Sequence, residues 1–289
     1  RMKPFRYARP QTLEAALSLL NEHGPGATVL AGGTDVLVRL RAGRTPRVVI
    51  DLKRVEGLRA GITEADGHVR IGALAILTDL VEDERMRRWF PALIDAIGVV
   101  GSVQIRNRAT LAGNICNASP AADTVPPLLV YGASVNLVSN AGRRNVKLTE
   151  FFTGPGKTAM QRGELLESID LPLPSGSTGA AFGRITRRRG VDLATINLCC
   201  LVNSSNETRF AYGAVGPKPF LVADESGVLA SPAATLQEKE AVLERMIAHA
   251  SPISNVRGSR EYRMAMLRVT SRRCLQHAME QLHGQGGWQ

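Results

Sequence analysis

Apolar residues first fall into a helical rhythm at Ala15, Leu17, Leu19 and Leu20, with Thr12 placed to cap the start and Gly24 to stop the run. Ala27–Leu30 then reads as a short apolar strand that ends at Gly32-Gly33, and a helical turn is expected from about Asp35 to Ala42. Val48–Leu52 is a β-rich run bounded by Pro46 and by charge. From His68 to Ala73 the pattern alternates like a half-buried strand. Thr78–Gly98 reads as one or two helices, broken at Pro91. Gly101–Pro127 is punctuated by glycine, asparagine and proline. Strands are expected at Val135–Val138, Val146–Leu148 and Leu165–Leu171.

Leu171–Gly179, rich in Pro, Ser and Gly, reads as a linker. Beyond it, Ala180–Ile185, Leu193–Val202 and Phe210–Val215 suit three strands of an antiparallel sheet. Two helices follow, roughly Ala234–Ala250 and Ser259–Leu282, and the tail from Gly284 is expected to fray. The order lacks a repeating βαβ alternation, so the fold class is α+β.

The length of 289 residues suits one large domain or two ordinary ones. With 44% hydrophobic, 21% charged and only 4% aromatic residues, the chain is expected to be globular with an aliphatic core. No apolar run approaches the ~18 residues of a membrane span. The N-terminal segment has charge but no apolar stretch behind it, against a secretory signal. The simplest compartment is the cytoplasm.

The formal charge of +10 suits an anionic cofactor, an acidic partner or nucleic acid. The densest basic cluster, Arg184 with Arg187, Arg188 and Arg189, has no interleaved aromatics, so nucleic acid is disfavoured. Cys116, Cys199, Cys200 and Cys274 form no C-x-x-C pair, and the five histidines are scattered. Adjacent Cys199 and Cys200 would point to opposite faces of a strand. The chain therefore carries no metal centre or cluster of its own by this reading, and no nucleophile elbow. Reactive atoms would come from a cofactor.

Three glycine-bearing segments bear on that. In Ala31-Gly32-Gly33-Thr34-Asp35-Val36-Leu37, after a strand, the glycines let backbone approach a ligand without a Cβ clash, and the following N–H groups form an anion nest. Taken alone, a plain strand-to-helix turn explains it as well, and the G-x-G-x-x-G fingerprint is absent. Gly154-Pro155-Gly156-Lys157-Thr158 ends like a P-loop, but Phe151 stands where the first glycine is required, so it reads as a turn. Thr110–Asp123 gathers small residues (Gly113, Ala118, Ala121, Ala122) with donors and acceptors (Thr110, Asn114, Asn117, Ser119, Asp123), leaving room for a bulky flat group. Ser119-Pro120 suits the cap of a helix from Ala121 to Tyr131. A capped helix after a loop is the plainer alternative.

In order, A-G-G-T-D-x-L, I-R-N-R-x-T-L-A-G-N-I-C-N-A-S-P-A-A-D-T, F-F-T-G-P-G-K-T, G-E-L-L-E-S-I-x-L-P and R-G-S-x-E-Y-R resemble the FAD-binding medium subunits of xanthine dehydrogenase-type molybdenum hydroxylases over essentially the whole chain. The resemblance implies an FAD-binding domain of the p-cresol methylhydroxylase type over residues 1–175, in α+β subdomains of about 1–56 and 57–175. A smaller α+β domain over 176–289, like the C-terminal domain of CO dehydrogenase flavoproteins, would follow.

It further implies a complex, a heterotrimer or its dimer, with a large molybdopterin-type Mo-cofactor subunit and a small subunit holding two [2Fe–2S] clusters. Electrons would reach FAD in this chain and leave to an acceptor such as NAD. Purines or N-heteroaromatic compounds are the implied substrates, ahead of aldehydes and CO; a stand-alone flavin oxidase is the distant alternative. Carried onto this sequence, Val29, Leu30, Ala31, Gly32, Gly33, Thr34, Asp35 and Val36 would surround the pyrophosphate. Thr110, Gly113, Asn114 and Ser119 would contact the cofactor from the second segment, Asp123 would meet its hydroxyls, and Leu166 would pack near the isoalloxazine. Arg184 stands where relatives usually have a lysine approaching the flavin ring, and Phe182 where they often have tyrosine.

Overall fold

The computed structural model describes residues 3–58 and 60–284. Of the tail expected to fray from Gly284, Gly284 itself is the last residue of the final helix, and residues 285–289 lie outside that range.

The chain opens with β1 (Arg6–Ala8), α1 (Leu13–His23), β2 (Ala27–Leu30), α2 (Val36–Arg41) and β3 (Val48–Asp51). Thr12 caps α1 as expected: its hydroxyl accepts from the Ala15 N–H at 3.2 Å, and Gly24, at φ +47°, ends the helix. The three strands form a parallel sheet with β3 in the centre. Ala16 and Leu17 of α1 cover Val48, Ile50 and Leu52.

Next come β4 (Ile62–Ala65), β5 (His68–Gly72), α3 (Leu77–Glu82), α4 (Glu84–Trp89), α5 (Pro91–Gly98), α6 (Val103–Arg106), α7 (Leu111–Asn117) and α8 (Val125–Val130). They are followed by β6 (Ser134–Ser139), β7 (Gly142–Lys147), α9 (Leu148–Phe151), β8 (Phe152–Gly154), β9 (Lys157–Thr158) and β10 (Leu165–Pro172). An antiparallel sheet in the order β4-β5-β10-β6-β7 carries the helices on its apolar face. The helical stretch after β5 has three pieces, not one or two. Pro91 opens the third, and the Asp83 carboxylate restarts the second by accepting from the N–H groups of Arg85 and Met86. The Gly154–Thr158 segment runs from the end of β8 through a turn at Pro155-Gly156 into the antiparallel β9, so no P-loop exists there.

The last part holds β11 (Thr178–Ile185), β12 (Ile196–Asn203), β13 (Thr208–Gly213), β14 (Phe220–Asp224), α10 (Leu236–Ile247) and α11 (Arg260–Gly284). The sheet β11-β12-β13-β14 is antiparallel with a fourth strand beyond the three expected, and the connection into it is shorter than the predicted linker. Both faces are covered. Cys199 and Leu201 turn toward the helices of the second part, while Cys200, Leu198 and Val202 turn toward α10 and α11. This is the alternation expected of the cysteine pair. The β12 run is buried almost throughout because it has apolar layers on either side.

Candidate functional site

A cavity of about 690 Å³ lies where the three parts of the chain meet. Its volume is ordinary for a cofactor pocket.

The first wall is the turn after β2. Gly33 adopts φ +84°, a conformation that favours glycine, and its carbonyl accepts from Leu37 N–H at 3.0 Å to start α2. Gly32 has another task. A Cβ there would lie 2.0 Å from the Arg108 carbonyl oxygen, so the glycine admits the second wall rather than only a ligand.

That second wall contains α7, a helix inside the segment read from sequence as irregular. Thr110 caps it, accepting from Gly113 N–H at 3.0 Å. The short strand-like contact of Ile76 with Thr110 and the 2.8 Å bond from Leu77 N–H to Ala109 O fix its start. Asn117, at its end, donates to Asp35 at 3.3 Å and accepts from Arg39, joining the two walls. The helix expected over Ala121–Tyr131 is shorter: it begins at Val125. Ser119 does not cap it; the Ser119 hydroxyl accepts from Ala121 N–H at 3.3 Å in a turn. The reason is local. Ala118 is left-handed at φ 48°, and Thr124 Oγ1 donates to Asn114 Oδ1 at 2.6 Å, folding residues 118–124 back over α7 instead of winding them.

The third wall comes from β10 and the end of the sheet. Glu164 accepts from Nε and Nη2 of Arg144, at 2.6 and 2.9 Å, with Leu165 and Leu166 beside it. The fourth comes from the β11–β12 connection, through Arg188, Val191, Asp192 and Leu193, with Arg257 nearby.

Of the residues singled out from sequence, Val29, Ala31, Gly32, Gly33, Thr34, Asp35 and Val36 line the cavity, and so do Thr110, Gly113, Asn114, Ser119, Asp123 and Leu166. Leu30 and Arg184 stand behind the wall. Leu30 supports Gly33, its Cδ1 being 3.0 Å from where a Cβ would sit. Arg184 ion-pairs with Asp123 at 3.2 Å, and Asn197 donates to the other Asp123 oxygen at 2.8 Å. Burial pushes the Asp123 carboxyl up to about 6, opposed by the Asn197 amide and the Arg184 charge. Cys116 also lines the cavity, and burial holds its thiol at about 12, so it offers no thiolate.

Sequence reasoning missed Asn197, Glu164 with Arg144, Arg39, and residues 191–193. Only the charge excess pointed toward Arg39; the other contacts depend on distant segments. Among the described residues, Arg39, Arg44, Arg188 and Arg257 line the cavity without an ion-pair partner; of its carboxylates, Glu164, Asp123 and Asp192 are each paired and Asp35 alone is not. Surplus cations suit a diphosphate. The Cβ-free backbone at Gly32, Gly33 and Gly113 and the apolar Val100, Ile105 and Leu166 suit a large flat group. The residues present fit FAD.

The relatives of the chain define its class. Residues 3–174 match the FAD binding domain in molybdopterin dehydrogenase, and residues 181–278 match the CO dehydrogenase flavoprotein C-terminal domain. The chain belongs to this family, the FAD-binding medium subunits of molybdenum hydroxylases, and is the flavin subunit of an oxidoreductase.

It is 35% identical over 280 residues to the xanthine dehydrogenase FAD-binding subunit of Escherichia coli O157:H7, with 94% of this chain and 95% of that one covered. It is 31% identical over 270 residues to the glyceraldehyde dehydrogenase medium chain of Sulfolobus acidocaldarius, covering 92% and 95%. Carbon monoxide dehydrogenase from Hydrogenophaga pseudoflava superposes with a TM-score of 0.89 at 28% identity, covering 98% of this chain and 99% of that chain. Among the described residues, no helix is long and apolar enough to cross a membrane.

Proposed function

We propose that this chain holds FAD in the cavity between its two glycine-bearing walls and serves as the electron outlet of a cytoplasmic purine- or N-heteroaromatic-oxidising molybdenum hydroxylase. Its partners are a large Mo-cofactor subunit and a small subunit with two [2Fe–2S] clusters, in a heterotrimer or its dimer. NAD is the proposed acceptor. When bound, FAD supplies a ring that can collect electrons from one-electron carriers and release them in pairs. The division into a cofactor domain ending near residue 175 and a C-terminal domain belongs to the same reading.

The chain's own residues do the positioning. Ala31–Val36 offer backbone N–H groups and the Thr34 hydroxyl to the diphosphate, with Arg39 and Arg44 adding charge. Thr110, Gly113, Asn114 and Ser119 line the opposite side, and Asp123 presents a carboxylate for a sugar or ribityl hydroxyl. Leu166 gives an apolar surface to the ring. The observation that carries the site is the convergence of Gly32–Gly33 and Thr110–Asp123 on one cavity lined by unpaired arginines. The purine preference is supported by the 35% identity to a xanthine dehydrogenase subunit.

The test is anaerobic reduction of the flavin, followed near 450 nm, in the complex co-produced with its partner subunits. Xanthine or an N-heteroaromatic compound is expected to bleach it and NAD to restore it. Bleaching only by aldehydes or CO would reassign the substrate. Bleaching of the isolated chain by an organic substrate would make it a stand-alone oxidase. A Gly33→Asp change, placing a carboxylate at the diphosphate wall, is expected to abolish flavin retention; an unaltered flavin spectrum would sink the site.

A further inference from the structure

The Arg184 side chain is largely buried, and its guanidinium is used on three different segments. One arm, Nη1, donates to the Val99 carbonyl at 2.8 Å and lies 3.2 Å from Asp123 Oδ2. The other, Nη2, donates to the Asp192 carbonyl. Val99 caps α5 and leads into Val100 and Gly101; Asp123 sits ahead of α8; Asp192 lies in the β11–β12 connection between Val191 and Leu193. Each of these stretches lines the cavity, yet Arg184 itself does not. The residue therefore touches the backs of three wall segments that no shared hydrogen-bonded sheet joins.

We propose that Arg184 is a positioning residue that clamps the 99–101, 121–123 and 191–193 segments around the cofactor cavity, and that its role depends on the guanidinium fork rather than on positive charge beside the flavin ring. The argument is geometric. The acceptors are divided between two nitrogens of a planar group, which holds them at fixed relative positions. A lysine ammonium at this position has a single nitrogen and cannot take the same three partners in that arrangement. The Asn197 amide completes the clamp by holding the second Asp123 oxygen, so the carboxylate is fixed from both sides. This rests on the cavity being the FAD site.

The experiment compares the full chain with Arg184→Lys and Arg184→Met. It reads the rate of FAD release after dilution, by the rise in free-flavin fluorescence, iodide quenching of the bound flavin, and the melting point of the cofactor-free chain. Both variants are expected to release FAD at least roughly tenfold faster, the scale of a lost charge-assisted hydrogen bond. Iodide should reach their flavin more readily, and lysine should fail to rescue. A lysine variant with the wild-type release rate would overturn the clamp in favour of charge alone. Unchanged release and quenching with a lowered melting point would reduce Arg184 to a structural residue. Should Arg184→Met not fold, Arg184→Gln, which keeps a planar amide, replaces it. A wild-type chain that binds no FAD would instead refute the reading of the cavity.

Discussion

The α-carbon of Gly32 faces the carbonyl of Arg108 so closely that a Cβ would sit 2.0 Å from its oxygen and 2.9 Å from the Ala109 Cα. The obstacle is backbone, which cannot swing aside as a long side chain would. Gly32 is thus where the walls of the cavity lean on each other.

Gly32→Ala is accordingly expected to push the two walls apart and to abolish FAD retention, with a lower melting point. Gly61→Ala, where a Cβ meets nothing within 4 Å, serves as the control and is expected to change neither. Flavin content at purification and a thermal melt check both. Full flavin content in Gly32→Ala would show that the walls do not need this contact.

Asp123 gives a pH signature. Its carboxyl titrates at about 6 in the folded chain against an ordinary 3.8, chiefly because it is buried. A raised carboxyl binds its proton more tightly folded than unfolded. The stability this contributes is complete below about 3.8 and is lost as pH rises through about 6. Asp123→Asn does not titrate. The stability of wild type relative to Asp123→Asn should therefore fall between about pH 4 and about pH 7, by on the order of 2–3 kcal/mol. Asp51, Glu164 and Asp170, whose carboxyls are held low by Lys53, Arg144 and Arg70, shift the opposite way, but both proteins contain them. Denaturant unfolding across that range checks the sign; a gap that does not change with pH contradicts it.

The first part of the chain, with the wall it carries, was legible in the sequence because each of its signals is local: a capping threonine at 12, a stopping glycine at 24, an apolar strand and a glycine pair. The alternation of Cys199 and Cys200 was legible for the same reason, since strand geometry alone decides it. Helix α7 was not. Its Gly113, Asn114 and Asn117 have poor helix propensity, and it forms because Thr110 caps it and Leu111, Ala112 and Ile115 are buried. The resemblance points Arg184 toward the flavin ring without settling where it faces; its partners lie 85, 61 and 8 residues away, and no local pattern encodes the first two. The strand β14 is a short run after Pro219, paired to β13 along its length, so long-range pairing decides it.

The cap of α7 can be weighed directly. Thr110→Ala removes the acceptor of the Gly113 N–H and should cost about 1 kcal/mol, whereas Thr110→Ser, which keeps a hydroxyl, should cost much less. Because α7 forms a cavity wall, the alanine variant should also bind FAD more weakly, and the serine variant should restore most of the affinity. Chemical denaturation and a flavin titration check the two effects together. Equal losses in both variants would show that the hydroxyl is not what fixes the wall.

The packing of α11 on β11 rests on Gly179 and Gly183, which share a face of the strand. A Cβ on Gly179 would lie 1.8 Å from the Ala278 carbonyl oxygen, backbone of α11; one on Gly183 would meet the Thr270 methyl at 2.5 Å and Cys274 Sγ at 2.6 Å. Both alanine variants should destabilise the C-terminal layer, by about 1–3 kcal/mol or more. They should differ in whether they can be rescued. Cutting back the opposing side chains with Thr270→Ser and Cys274→Ala removes both atoms that Gly183→Ala would strike, and should recover much of its loss. No side-chain change removes the carbonyl facing Gly179. Unfolding energies for the single and combined variants form the cycle that separates the two cases. Rescue of Gly179→Ala by the same pair of changes would mean that the helix can slide along the strand.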